Sequence, residues 1–181
     1  SFLLLFAVFV PWVGAQPDAV DAYITAEMDK RRIPGLALVV IRHGAVVKMQ
    51  GYELANVVLN VPVTPDTVFE LASVTNQFTA AGIMLLVEEG KLGLEDPISQ
   101  HLAGTPDVWK GITVRHLLTH TAGLASLERG FRALYAGGAK ANYRTAEMFE
   151  AATKDPMSFL PGERWQYSDV GYFLLGMIIE K

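Results

Sequence analysis

The sequence predicts an α+β protein with a helical insertion. Three observations carry that prediction. Two short β-branched apolar runs, Leu36 to Ile41 and Ala45 to Gln50, flank a His43-Gly44 turn and read as a hairpin. From Ala72 onward the apolar residues recur at helical rather than alternating spacing. The 181 residues, 51% hydrophobic and 19% charged, are enough to bury a sizeable core. Two strands followed by several helices suggest an α+β fold. The length corresponds to one domain, or to a domain and a piece of another.

The elements follow in chain order. Pro17 to Arg32 spaces Val20, Ile24 and Met28 four apart with charges between them, an amphipathic helix that Pro34-Gly35 breaks. The hairpin comes next. Pro62, Pro65 and Asp66 mark a loop. Ala72 to Glu89 is a long helical pattern closed by Gly90. Phe78, Ile83, Leu85, Leu86 and Val87 within it imply burial on most sides. Asp96-Pro97 opens another element, and Thr113 to Leu118 forms a short helix running into a His-Thr-Ala-Gly loop. Thr145 to Thr153 is a helix, Pro156 to Gly162 a loop, and Ser168 onward the last helix.

The chain's ends carry their own signals. The run SFLLLFAVFV at residues 1–10 is too short to cross a bilayer, which needs about 20 residues. It has the length of a secretory h-region, and Val13-Gly14-Ala15 offers small residues for cleavage after Ala15. Residues 1–15 are therefore expected to be a signal peptide, with the protein periplasmic or secreted and no stable membrane span. The pattern from Val170 to Lys181 stops without a glycine cap or a following proline. The chain is expected to be a piece of a longer one.

Composition excludes several kinds of chemistry. A net charge of −4 with no basic stripe argues against nucleic acid as a partner. With no cysteine there is no disulfide, thiolate zinc site or cysteine nucleophile. Hydroxyls, carboxylates, imidazoles and amines remain.

Two residues at helix starts are candidates. Ser73 opens the Ala72–Glu89 pattern, where the common role of a serine is to cap the helix. The same position suits a nucleophile, because the helix N-terminus favours an oxyanion and the residue three further on lies within reach of the hydroxyl. Tyr167 precedes the last helix. It is either a boundary tyrosine beside an N-cap at Ser168 or Asp169, or a phenol that takes or relays the serine proton. His116 and His120 form H-x-x-x-H, two imidazoles on one helical face. Leu117 stands where a zincin needs glutamate and no third ligand is marked, so no metal is expected. Ala136-Gly137-Gly138-Ala139 lacks phosphate-loop spacing, and Phe131, Tyr135 and Tyr143 read as packing.

Four stretches in order resemble the serine β-lactamase-like family, the branch of class C β-lactamases, D-alanyl-D-alanine carboxypeptidases and related esterases. They are FELASVTNQFTA at 69–80, ITVRHLLTHTAGL at 112–124, Pro161-Gly162-Glu163, and YSDVGYFLLGMIIEK at 167–181. The resemblance runs from about Val20 to Lys181. It implies a β-lactamase/transpeptidase-like fold: an antiparallel sheet packed by helices, plus a helical domain, here without the C-terminal strands and the third motif. It implies acyl transfer through a serine acyl-enzyme, with Ser73 and Tyr167 at the catalytic positions. The substrate is then an amide or ester: a β-lactam, a D-alanyl or peptidoglycan peptide, or a small ester. No cofactor is implied.

Two positions depart from the family pattern. Asn76 replaces the lysine of Ser-x-x-Lys, and Asp169 replaces the asparagine of Tyr-Ser-Asn. An amide at 76 can hold a hydroxyl in the substrate-binding site but has no useful basicity, and losing a general base costs about 10²–10⁴ in rate. A carboxylate at 169 adds negative charge beside Tyr167 and disfavours substrates carrying a carboxylate. Both changes push against forming a nucleophile. The alternative to an impaired hydrolase is an inactive extracytoplasmic binding protein that keeps the hydrolase fold.

Overall fold

The structure, a computed structural model, describes residues 18–125 and 143–181. The expected signal peptide, Phe131, Tyr135 and the Ala136–Ala139 loop lie outside the described residues. The chain divides into two compact units, one ending at Glu70 and one beginning at Leu71.

The first unit holds one helix and a three-stranded antiparallel sheet. Helix α1 (Ala19–Arg31) is capped by Asp18, whose Oδ1 accepts the N–H groups of Val20 and Asp21, each at 2.9 Å. The Asp21 carboxylate accepts the Asp18 N–H in return, so two otherwise orphaned donors are satisfied. Arg32 ends the helix in the left-handed region at φ 55. Strands β1 (Gly35–Arg42) and β2 (Ala45–Asn56) pair with Arg42 opposite Ala45. Both turn residues have positive φ, 51° at His43 and 78° at Gly44, as a two-residue hairpin requires. Strand β3 (Val61–Pro62) extends the sheet in the order β1-β2-β3.

Charge ties α1 to β2. Lys48 Nζ lies 2.9 Å from Asp18 Oδ2 and 2.7 Å from Asp21 Oδ1, and Tyr52 donates its hydroxyl to Asp21 Oδ1 at 2.6 Å. The Lys48 ammonium and the Tyr52 hydroxyl together hold the Asp21 carboxyl down at about 2.

The second unit is helical. Helices α2 (Thr75–Glu88), α3 (Val114–Leu118) and α4 (Thr145–Lys154) each pack on α5 (Asp169–Ile179). The buried positions of α5 are Val170, Gly171, Leu174, Leu175 and Ile178, the i, i+1, i+4, i+5, i+8 stripe of a helix facing its neighbours. Leu174 and Leu175 meet Ile83, Ile98, Trp109, Ile112, Val114 and Leu117 in one core with almost no exposed area. Burying each such Leu or Ile contributes about 1.5–3 kcal/mol. Among the described residues no helix is long and apolar enough to cross a membrane.

Two expectations change here. Ser73 is not the cap of α2. Ala72 to Val74 form a 3₁₀ turn ahead of it, and Val74 occupies the cap position with no side-chain bond. Nor is α2 buried on most sides, since only Ile83 is buried while Phe78 and Leu85 are exposed. The helix presents a single face to α5, so abundance of apolar residues overstates its burial.

Candidate active site

The candidate site lies within the second unit, where the turn leading into α2 meets the segment leading into α5. Ala72 has φ 46, a left-handed conformation that costs a non-glycine residue about 1–2 kcal/mol, and Ser73 follows directly. The structure brings all four sequence-predicted residues to one point, the phenol oxygen of Tyr167. That oxygen is 2.8 Å from Ser73 Oγ, 3.1 Å from Asp169 Oδ1 and 3.3 Å from Asn76 Nδ2. Asn76 therefore donates its amide to the phenol and not to the serine hydroxyl. The expected contact between the first and fourth residues of Ser-x-x-Asn is replaced by one across to the segment that leads into α5.

Tyr167 is held from behind by the loop after α3. The His120 ring lies tilted over Tyr167 with centroids 4.6 Å apart and touches Tyr172 on its other contact at 5.1 Å. His120 Nδ1 accepts the Ser168 N–H at 3.2 Å, and the His120 carbonyl accepts the Gln166 N–H at 2.9 Å. Further along, the Thr121 carbonyl accepts from Gly162 and the Gly123 carbonyl from Ser158, both at 2.8 Å. Gly123 sits at φ 76, and a methyl there would collide with the Phe159 carbonyl. Loop 119–125 is thus laced to residues 158–168, which fixes the approach of Tyr167.

Burial pushes the His120 imidazole below its ordinary 6.5, against the pull of the Asp169 charge. The neutral ring suits its place, because a nitrogen that accepts the Ser168 N–H carries no proton. Ser168 is 3% exposed. Its Oγ caps α5 by accepting the Gly171 N–H at 3.2 Å, and donates to the Ala125 carbonyl at 2.8 Å.

The histidine pair corrects a second expectation. His116 and His120 do not share a helical face, because α3 ends at Leu118 and His120 has φ 58. His116 instead completes the cap of α3, its Nδ1 accepting the Thr113 N–H at 3.2 Å. Motif reading set His120 in a histidine pair and Ser168 at a helix cap, but missed that His120 stacks on Tyr167 and accepts the Ser168 N–H. The His-Thr-Ala-Gly string marked the loop but not the ring stacking.

A serine and a tyrosine hydroxyl thus meet where two helices begin, inside an α+β chain. Comparison with known proteins gives the family. The Beta-lactamase family model matches residues 20–181, and the chain belongs to that family. It is 40% identical over 130 residues to penicillin-binding protein 4* of Bacillus subtilis, covering 66% of this chain and 26% of that protein. Among solved structures, the octameric penicillin-binding protein homologue of Pyrococcus abyssi is 34% identical with a TM-score of 0.71, covering 90% of this chain and 38% of that one. EstCE1, a hydrolase with promiscuous acyltransferase activity, is 27% identical with a TM-score of 0.72, covering 89% and 45%. The chain spans between 26% and 32% of the length of the curated relatives it matches.

Proposed function

We propose that the protein is a serine hydrolase acting by acyl transfer, with Ser73 as nucleophile and Tyr167 taking or relaying its proton. The observation that carries this reading is the 2.8 Å contact between Tyr167 OH and Ser73 Oγ. Ser73 Oγ attacks an amide or ester carbonyl carbon, the leaving group departs with a proton, and water then releases the acyl group. The substrate class is a β-lactam, a D-alanyl peptide or a small ester. Its relatives include proteins named for penicillin binding and for hydrolase activity, which supports the class without choosing within it.

The test is labelling with a fluorophosphonate together with turnover of a chromogenic ester. Both should occur in the unaltered protein and vanish in Ser73→Ala. Equal turnover in Ser73→Ala would end the assignment of the nucleophile. Asn76, which replaces a basic residue, favours a second reading as a non-catalytic binding protein. That reading predicts saturable β-lactam binding with no mass added at Ser73 and no turnover.

A further inference from the structure

The four-residue cluster has a hydrogen-bond direction that the family pattern does not require. The Asn76 amide nitrogen can only donate, so at 3.3 Å it gives a proton to the Tyr167 oxygen. An ionised Asp169 can only accept, so at 3.1 Å it takes the phenol proton in a charge-assisted bond. A phenol has one proton, and it can be given to Ser73 Oγ at 2.8 Å or to Asp169 Oδ1 at 3.1 Å. When it is directed at Asp169, the serine hydroxyl is left to donate to the phenol oxygen across the 2.8 Å contact. The chain Ser73–Tyr167–Asp169 then runs from the serine to the carboxylate, with the Asn76 amide donating into its middle.

We propose that Asp169 is the terminal proton acceptor for Ser73, acting through Tyr167, and so takes over the work of the missing lysine. The proposal rests on the serine-hydrolase reading above. As Ser73 Oγ bonds to the acyl carbon, its proton passes to the Tyr167 oxygen and the Tyr167 proton passes to Asp169 Oδ1. The phenol stays neutral overall, Asp169 becomes a carboxylic acid, and the negative charge resides on the tetrahedral oxyanion. Collapse returns the proton from Asp169 through Tyr167 to the leaving nitrogen or oxygen as its bond to carbon breaks. Water repeats the cycle to release the acid. Asn76 keeps its amide on the phenol oxygen throughout and stabilises the negative charge that gathers there between the two transfers. In this arrangement an amide at 76 suffices, and the two departures from the family pattern compensate each other.

The surroundings of Asp169 suit an ionised acceptor. It lies in the first turn of α5, where the helix dipole favours an anion. Among the described residues the ionisable groups facing it are Tyr167 and His120, the latter from the loop after α3 and pushed toward its neutral form by burial. Ser73 and Asn76, from the α2 side, carry no charge.

The experiment measures kcat/KM against pH for ester hydrolysis in the unaltered protein and in Asp169→Asn, Asp169→Glu and Ser73→Ala. Asp169→Asn restores the asparagine of the family pattern. If Asp169 merely damages the site, that change raises the rate. The relay predicts the opposite: a fall of about 10²–10⁴, with the acid limb in the carboxylate range abolished and partial recovery in Asp169→Glu. Turnover in Asp169→Asn at or above the unaltered rate, or with the acid limb unmoved, overturns the relay. A Ser73→Ala protein that still turns over ester instead removes the underlying hydrolase reading. Cooperative thermal melting of each variant separates lost chemistry from lost fold. A variant that melts normally yet loses both rate and acid limb supports the relay.

Discussion

Ser168 connects stability to the candidate site, and Ser168→Ala tests the connection. One hydroxyl makes two bonds: it accepts the Gly171 N–H that caps α5 and donates to the Ala125 carbonyl. Replacing an N-cap serine with alanine costs about 1 kcal/mol. Leaving a buried carbonyl without its donor costs about 1–2 kcal/mol more. The two losses share one atom and do not simply add, so the expected destabilisation is about 2 kcal/mol. With a urea slope of about 2 kcal/mol/M, the midpoint should fall by roughly 1 M with the slope unchanged. Ser168→Gly divides the two contributions, because glycine caps nearly as well as serine but cannot reach Ala125. It should recover part of the loss. A Ser168→Ala midpoint within 0.2 M of the unaltered protein, roughly the noise of such a titration, would refute this account of the cap and the buried bond.

Other consequences are equally direct. Leu174→Ala removes a side chain with no exposed area from the centre of the second unit and should cost about 3–5 kcal/mol, read by chemical denaturation; a loss under about 1 kcal/mol would mean the core collapses freely around it. His120 titrates below 6.5 when folded, so the unfolded chain binds more protons as pH falls through that value. Stability should therefore be full above 6.5 and decline toward the folded value, and melting curves at pH 7.5 and 5.5 should show this slope disappear in His120→Gln. Asp21, held at about 2 against an ordinary 3.8, contributes stability that is present above 3.8 and lost as pH falls through about 2. Lys48→Met should raise its titration midpoint, measured by carboxyl NMR, and an unmoved midpoint would mean Lys48 is not the cause.

Local signals were sufficient for most elements. Ser168 caps α5, one of the two cap positions expected there, and α1, α3 and α4 begin and end within two residues of their expected limits, while α5 starts one residue after its expected start. The hairpin was visible because His43-Gly44 separates two β-branched runs. Strand β3 was not, because it is two residues long and ends in a proline with no N–H to donate. Three-residue 3₁₀ turns, including the one carrying Ser73, leave no periodicity to detect. The site divides the same way. Ser73, Asn76, Tyr167 and Asp169 stood out as motif positions, yet their common meeting point on one oxygen did not. That geometry depends on the φ 46 of Ala72 and the φ 58 of His120, conformations no residue type at those positions announces.

Ser73 and Tyr167 lie 94 residues apart in the chain. Closing a loop of that length costs about 4 kcal/mol of chain entropy, recovered only when the buried faces of α2 and α5 meet. The hydroxyl pair thus belongs to the long-range contacts, which as a class form more slowly than local helices. Formed helices that have not docked carry a serine but no partner for its proton. On the proposed serine-hydrolase reading, covalent capture of Ser73 during refolding would serve as a clock for helix docking, and it should lag the recovery of helical ellipticity by the time the long-range contact takes to close.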